Sequence, residues 1–218
     1  MKTIVNGMVS GTLLAAAIFI SGCSSSGYSK ASDTSKGMGK AGDEVEAIVA
    51  QTQVTLTSLS NLVSHTAPNL VPQYKAFSAN TKKLASMSKS VDAKAADMKK
   101  RAAAYFAEWD KGMTNISNSE LRATSESRRA DVSNSFNEVA SSLKKSKEAF
   151  DPFLSDLKDI QQVLDLDLTQ GGIASIQKVA EDGIKHGEDL RTSLAEAAKQ
   201  IQDLAGKMSS QGSPQVQK

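Results

Sequence analysis

Residues 74–109 read YKAFSANTKKLASMSKSVDAKAADMKKRAAAYFAEW, and their apolar positions have the spacing of one helix face. Its seam positions recur in alternating steps of three and four residues: Tyr74, Phe77, Thr81, Leu84, Ser88, Val91, Ala95, Met98, Ala102, Tyr105 and Trp109. This spacing is the heptad pattern of helices that pack side by side with a left-handed twist. The stretch therefore predicts one long helix with a narrow apolar seam.

Three further helices are predicted around this one, because apolar residues keep a helical spacing and no segment alternates like a half-buried strand. The first covers about 43–64 and is separated from the second, which starts within 70–73, by Pro68 and Pro72, since proline lacks an N–H and disfavours helix in the preceding residue. The third has a seam from Leu121 to Leu164, and the last covers about 173–208. The predicted class is all-α.

Two turns divide the second half of the chain. Gly112 and the polar run at 114–119 weaken the helix, and Ser117 with Glu120 has the spacing of a capping box. Residues 167–172, which end in two glycines, form the other turn. At Pro152 two interpretations stay open: a kinked helix continues, or Asp151 caps a new helix with proline in its first position.

Helix lengths favour one arrangement of these elements. An unbroken helix over 73–164 would extend about 140 Å at ~1.5 Å per residue, so its aromatic middle, with Tyr105, Phe106 and Trp109, would stay exposed. A break near 112–119 instead gives an antiparallel, coiled-coil-like four-helix bundle. The alternative is an elongated rod of overlapping helical hairpins. In the bundle, Gly183 and Gly187 would lie opposite Phe150 and Phe153, unless these glycines only mark a weak helix.

The N-terminus predicts a location. An apolar run from Met8 to Ile20, too short to span a membrane, follows Lys2 and ends at Ser21, Gly22 and Cys23, the sole cysteine. This pattern resembles a bacterial lipoprotein signal peptide over residues 1–22, which implies cleavage before Cys23 and acylation of that residue. Because Ser24 rather than aspartate follows, the resemblance to enterobacterial lipoproteins implies the periplasmic face of the outer membrane.

The segments that flank the bundle are polar. Residues 23–40, rich in Ser, Gly and Lys, predict a flexible tether, residues 41–208 the helical bundle domain, and residues 209–218 a disordered tail. The 218-residue chain has a formal charge of +2, and removal of Lys2 with the signal peptide leaves +1. A balance so near zero argues against a nucleic-acid partner. With Cys23 acylated, no thiol remains for a disulfide or a thiolate metal site.

The sequence matches no catalytic or metal-binding pattern. A di-iron bundle needs glutamate three residues before histidine on two helices, but Leu62 precedes His65 and Gly183 precedes His186 at that spacing. The run 37–40 lacks the spacing and the preceding strand of a phosphate loop. We therefore expect no enzyme activity, no catalytic residue, no metal and no cofactor.

One seam segment is unusually polar. Within 117–131, Arg122, Arg128 and Arg129 accompany a single large apolar residue, Leu121. Polar seam residues can fix register and partner choice, and arginines can bind an anion or an acidic helix. The three arginines are therefore candidate partner-binding residues, against the alternative of a solvated helix start.

The ordered landmarks of the second half resemble those of an uncharacterised bacterial family of helical proteins, many of them lipoproteins, classed only as a domain of unknown function. These landmarks are Glu108-Trp109, Ile116, Leu121-Arg122, Ser125, Arg128, Pro152-Phe153-Leu154, Asp159, Leu166 to Thr169 and Ile173 to Ser175. The resemblance covers about Tyr105 to Leu204, and the first helix matches only in character. It implies a helical fold and an envelope setting, and carries over no catalytic residue.

The expected function follows from the anchor and the seams. We expect a membrane-anchored periplasmic lipoprotein whose bundle is a non-enzymatic interaction or structural module of the cell envelope, with an envelope protein or a second copy as its partner. One alternative is a peptidoglycan tether through the C-terminal Lys218, as in the murein lipoprotein. Another is a helical bundle that binds a ligand between its helices.

Overall fold

Four long helices make up the part of the chain that the structure describes. The computed structural model describes residues 27–209, except for the side chains at positions 27, 28, 90–92 and 94. The helices are α1 (Gly27–Val63), α2 (Val71–Met113), α3 (Ser119–Leu166) and α4 (Gln170–Met208). No strand occurs within residues 27–209. The all-α prediction is confirmed.

The helices form a closed, antiparallel four-helix bundle. Each packs against its neighbours in the chain, α4 closes the ring against α1, and the backbones of the diagonal pairs stay apart. Cross-bundle hydrogen bonds show the antiparallel order: Ser35 Oγ donates to the carbonyl of Ala205 (2.8 Å), and Trp109 Nε1 donates to Ser125 Oγ (2.8 Å). The bundle, and not the rod of overlapping hairpins, is the observed arrangement.

Most of the core comes from the predicted seams, but the α3 seam is buried only from Val132 onward, since its first residue, Leu121, is 62% exposed. Along α2, Phe77, Leu84 and Tyr105 are buried, while Trp109 is half-buried against the same core. The other helices contribute large side chains that are almost fully buried: Ile48, Leu59 and Leu62 from α1, Phe153, Leu157, Ile160 and Leu164 from α3, and Leu190, Leu194 and Ile201 from α4. Because burial of one such side chain stabilises the fold by about 1.5–3 kcal/mol, these layers hold the bundle together.

The flexible tether predicted for residues 23–40 is wrong from Gly27 onward, because α1 begins there. Met38 is only 1% exposed. Glycine makes a close approach in this segment: a Cβ at Gly37 would lie 3.2 Å from Arg101 Cδ, on α2. The bundle therefore includes residues 27–40, ahead of its predicted start at residue 41. Residues 1–26 and 210–218, with the signal peptide, Cys23 and most of the predicted tail, lie outside the described residues.

Both predicted turns occur, and each is shorter than predicted. Asn118, and not Ser117, caps α3: its Oδ1 accepts hydrogen bonds from the amides of Glu120 and Leu121, both at 3.0 Å. The connection before α4 is shorter than predicted, because Gly171 and Gly172 already belong to the helix and Thr169 is its N-cap. A Cβ at Gly172 would lie 1.9 Å from the carbonyl oxygen of Asp167, which explains the glycine.

Helix α3 continues through Pro152, so the alternative in which Asp151 caps a new helix is wrong. Asp151 and Pro152 are exposed, and the following Phe153 and Leu154 are buried. The pyrrolidine ring therefore faces solvent, where the missing N–H leaves the buried seam intact.

The prediction for the α4 glycines is confirmed at one position. At Gly187, a Cβ would lie 2.9 Å from the Phe153 ring and 2.4 Å from Leu56 Cδ2, so side chains close directly over the backbone. At Gly183, a Cβ would meet nothing within 4 Å. The predicted cover of aromatic rings therefore exists at Gly187 and not at Gly183.

Candidate functional site

A groove runs along the surface between α2 and α3. Its main cleft measures about 680 Å³ and is floored by small and apolar side chains: Ala95, Ala96, Met98, Ala102, Ala103 and Phe106 from α2, and Phe136, Val139, Ala140 and Leu143 from α3. Alanine extends only one carbon from the backbone, so the two helices meet through few large side chains here. The result is an open apolar depression in an otherwise closed bundle.

A second cleft of about 380 Å³ continues the first. The two share Leu143 and Lys147 in their walls, and the second extends the depression to Ala85 on α2 and Leu154 on α3. We call the two clefts together the α2–α3 groove. From Ala85 to Phe106 the groove follows about 32 Å of helix, at ~1.5 Å per residue.

The walls of the α2–α3 groove carry lysines. Lys89 and Lys99 project from α2, and Lys144, Lys147 and Lys158 from α3. Two of these lysines make long ion pairs within α3, Lys144 with Glu148 and Lys147 with Asp151, both at 3.7 Å. Among the groove-lining residues whose side chains the structure describes, Asp151 is the single carboxylate. The groove thus combines an apolar floor with a positive rim.

Titratable groups do not converge in the groove or elsewhere in the described bundle. Within residues 27–209, no three His, Cys, Asp or Glu side chains are grouped so as to hold a metal ion. His186 Nδ1 lies 3.6 Å from Asp156 Oδ2, and both side chains are partly exposed. Ser146, which lines the groove, makes a neutral hydrogen bond of 2.9 Å with Ser193.

The three candidate arginines lie together where α2 turns into α3, and each makes an internal contact. Arg122 donates two hydrogen bonds to the carbonyl of Ile116, from Nε at 3.1 Å and from Nη2 at 2.5 Å. Arg128 donates to the carbonyl of Lys207 (2.8 Å), in the last turn of α4. These contacts satisfy carbonyls that a helix end or turn leaves open.

Arg129 is the most enclosed of the three arginines. It forms an ion pair with Asp110 across the turn, and its guanidinium carbon lies 5.1 Å from the centre of the Phe106 ring. Phe106 in turn meets Phe136 edge to face, with ring centres 5.5 Å apart. The three arginines therefore stabilise the connection between α2 and α3 through contacts within the protein. Partner binding by them stays a prediction.

An aromatic cluster lies at the same end of the bundle, where α1 begins. Tyr105 packs against Phe106 and Trp109, each with ring centres 5.4 Å from its own. Burial raises the pKa of Tyr105, and the nearby charge of Arg128 partly opposes this shift. A shallow cleft of about 500 Å³ opens between Ala31, Trp109 and Ile116. This end is the one nearest to Cys23 along the chain.

At the opposite end, Tyr74 joins α2 to α3. Its hydroxyl donates to the Asp165 carboxylate and lies 3.3 Å from the carbonyl of Gln161. Burial, followed by the hydrogen bond to Asp165, raises the pKa of Tyr74 to about 12. The neutral hydroxyl is therefore the form that the folded protein holds.

The sequence contained a signal for the α2–α3 groove. Within the α2 seam, bulky residues give way to alanine at positions 95 and 102, and alanine also occupies the adjacent positions 96 and 103. Small residues on a packing seam leave space unless the facing helix fills it. The facing residue Ala140 is also small, and that correspondence becomes visible only once the helices are aligned.

Cys23, the predicted lipidation site, lies outside the described residues. Over residues 27–209, none of the helices combines the length and the apolar character that crossing a bilayer requires. The structure therefore bears on the bundle and leaves the anchor as a prediction.

Comparison with known proteins gives one match. Neither the curated proteins nor the solved structures contain a similar chain. The family model described as a protein of unknown function (DUF2959) matches residues 22–207. The match extends beyond the 105–204 stretch in which the sequence landmarks lie, and it includes all of α1. The chain therefore belongs to the DUF2959 family.

Proposed function

We propose that this protein is a lipid-anchored, non-enzymatic module of the bacterial cell envelope that uses its helical bundle to bind another envelope protein. One observation carries the proposal: an apolar, lysine-rimmed groove is open on the surface of the bundle. Exposed apolar grooves rimmed by polar residues are typical of interaction sites. The described residues that line the groove offer no convergent acid–base pair, which is why we propose binding and not catalysis.

The anchor is supported by the sequence before α1. A positive residue, a short apolar run and small residues precede Cys23, in the order of a lipoprotein signal peptide. Two or more acyl chains on one residue give lasting attachment, whereas one chain gives only marginal binding. Ser24, in the place where aspartate would retain the protein at the inner membrane, supports a location on the periplasmic face of the outer membrane.

The start of α1 at Gly27 changes the geometry of this proposal. The four residues from Cys23 to Gly27 can span at most about 14 Å, even when fully extended. An acylated Cys23 would therefore keep the aromatic end of the bundle close to the lipid headgroups. A partner would approach from the side, along the α2–α3 groove.

The test of the anchor is metabolic labelling of the full-length protein with an alkyne analogue of palmitate in a Gram-negative host. We expect label on the protein, an N-terminal peptide that begins with acylated Cys23 in the mass spectrum, and recovery with outer-membrane fractions. The matched control is Cys23→Ser, which should carry no label and retain residues 1–22. Unlabelled protein that appears in the soluble periplasmic fraction would overturn the anchor.

A further inference from the structure

We propose that the α2–α3 groove binds an acidic amphipathic helix from a partner protein. This inference rests on the proposed function, since it specifies what the interaction module takes. The floor, the length and the charge of the groove each constrain the occupant.

The floor fits the apolar stripe of a helix. Helix-in-groove recognition uses apolar anchors at positions i, i+3, i+4 and i+7 of the bound helix. Ala96, Ala103 and Ala140 are exposed and small, so bulky anchors can approach the α2 and α3 backbones. Phe106 and Phe136 close one end of this floor. The groove length of about 32 Å matches a bound helix of roughly 21 residues.

The rim sets the charge of the bound helix. Lysines stand on both walls, and Lys144 and Lys158 alone are separated by about 21 Å of helix rise. Lys89, Lys99 and Lys158 have no ion-pair partner among the residues whose side chains the structure describes. The complementary occupant carries carboxylates along both edges of its apolar stripe, because opposite charges steer association and fix orientation.

This spread of charge argues against a fatty acid or lysolipid as the occupant. Such a molecule carries its negative charge at one end, so its site needs cations clustered at one end of an apolar slot. In the α2–α3 groove the cations are spread over about 21 Å of α3, from Lys158 past Lys147 to Lys144, with Lys89 and Lys99 on α2. An extended anionic partner uses all of them.

A second copy of this chain fits less well, because the exposed helix faces of the protein carry charges of both signs. On α4, for example, Lys178 pairs with Asp182 (3.1 Å) and Arg191 with Glu188 (2.7 Å). Faces with internal pairs of this kind offer no excess of carboxylates to a lysine-rimmed groove.

The experiment measures binding of two synthetic helical peptides to the full-length protein in nanodiscs of neutral phospholipid. Both peptides share one leucine stripe at i, i+3, i+4 and i+7, and differ only in flanking glutamates or lysines. Fluorescence anisotropy should show that the glutamate peptide binds at least tenfold more tightly than the lysine peptide. The difference should shrink at high salt, which screens exposed charges.

Groove variants locate the site. The double variant Lys99→Glu and Lys144→Glu should weaken binding of the glutamate peptide at least tenfold, and Ala103→Trp should weaken it by filling the floor. The matched controls on the exposed face of α4 are the double variant Lys185→Glu and Lys199→Glu, and Ala195→Trp, which should bind like the wild type. Circular dichroism and thermal melting should show that all variants keep the fold.

Several outcomes would overturn the groove proposal. These are equal affinity for both peptides, unchanged affinity in the folded groove variants, displacement of the peptide by stoichiometric lysophosphatidylglycerol, or concentration-dependent dimers that the Lys99→Glu and Lys144→Glu double variant abolishes. Labelling at Cys23 is a separate readout. If the protein is unlabelled but its groove binds the glutamate peptide, the envelope anchor is refuted and the groove proposal stands. If the protein is labelled but fails the peptide test, the groove proposal is refuted and the anchor stands.

Discussion

Gly183 and Gly187 lie one helical turn apart on α4 and are both buried, yet they differ in what surrounds them. Space is available for a methyl group at Gly183 but not at Gly187. We therefore predict that Gly183→Ala stabilises the protein by about 0.5–1 kcal/mol, the difference in helix propensity. Gly187→Ala should destabilise it, because overpacking against Phe153 and Leu56 costs about 1–3 kcal/mol and exceeds that gain.

Urea unfolding of the two single variants, followed by circular dichroism at 222 nm, measures both effects as changes in the free energy of unfolding. Each variant serves as the control for the other, since the substitution and the helix are the same. Equal stabilisation by both substitutions would contradict the close packing of Phe153 on Gly187.

Tyr74 gives the protein a dependence on alkaline pH. Its pKa is about 12 in the folded protein against 10.0 for the free side chain, so the folded state favours the protonated phenol. The stabilisation from this phenol is complete below pH 10.0 and is lost as the pH rises to about 12. Since Tyr74→Phe removes the titrating group, the stability difference between wild type and variant should change over that pH window and stay constant below it.

The measurement for Tyr74 is thermal melting of wild type and Tyr74→Phe across this pH range. Comparing the two chains removes the shared contribution of lysines and other tyrosines. Tyr105→Phe is a useful second variant, because the raised pKa of Tyr105 comes mainly from burial and not from a carboxylate. A wild-type minus Tyr74→Phe difference that is flat with pH would show that neither burial nor Asp165 raises the pKa of Tyr74 in the folded protein.

Individual contacts of this kind were beyond the reach of the sequence. The sequence singled out Arg122, Arg128 and Arg129 as unusual seam residues, but it could not show that Lys207 and Asp110 supply their partners. The same holds for the two α4 glycines, whose difference depends on one turn of register against α1 and α3. Residue-scale roles depend on side chains that are distant in sequence.

At the scale of the helices, the N-cap of α3 separates the sequence prediction from the structure. Both Ser117 and Asn118 are good capping residues, and the capping-box spacing favoured Ser117. In the structure Asn118 accepts the two amide hydrogen bonds. Asn118→Ala should therefore destabilise the protein by about 1 kcal/mol, within the usual range of about 0.5–2 kcal/mol for a lost cap, while Ser117→Ala should have little effect.

Hydrogen exchange of the Glu120 and Leu121 amides, together with thermal melting, measures the effect of the cap. These amides should exchange faster in Asn118→Ala than in the wild type, and at the wild-type rate in Ser117→Ala. The reverse result would restore the capping box predicted from the sequence.

Helix existence was predictable and helix ends were not. The heptad seams of α2 and α3 directly encode the buried face, so they predict helices wherever they run, including across Pro152. Glycine is ambiguous, because it marks either a flexible segment or a close approach. The glycines of residues 23–40 were interpreted in the first way, and only the proximity of Arg101, on α2, to Gly37 shows the second.

At the scale of the whole molecule, helix lengths were enough to predict the bundle. Four helices of similar length joined by short connections can bury their seams together only by folding back on one another. The α2–α3 groove was not predictable in this way, since the separation of two helices depends on the side-chain volumes that meet across them. Alanines on both α2 and α3 at the same height leave that volume unfilled.

The residue at which the chain enters the bundle sets how far the proposed anchor at Cys23 can hold the bundle from the lipid surface. If residues 27–40 were a tether, a chain that begins at Ala41 would be as stable as one that begins at Gly27. The structure instead places Met38 in the core, with Ser35 bonded to Ala205 and Gln202 Nε2 donating to the carbonyl of Gly39 at 3.4 Å. Loss of Met38 alone removes about 1.5–3 kcal/mol of burial, so the Ala41 chain should melt at a clearly lower temperature.

Hydrogen exchange distinguishes this loss of packing from a general weakening of the protein. In the Ala41 chain, amides near the end of α4, from Ala198 to Met208, should lose protection first, because Met38 and Ser35 lie beside that end. Amides around Phe77 and Leu164, at the other end of the bundle, provide the internal control and should change less. Equal melting temperatures and equal protection in the two chains would show that residues 27–40 are a tether. The bundle would then lie farther from the lipid surface.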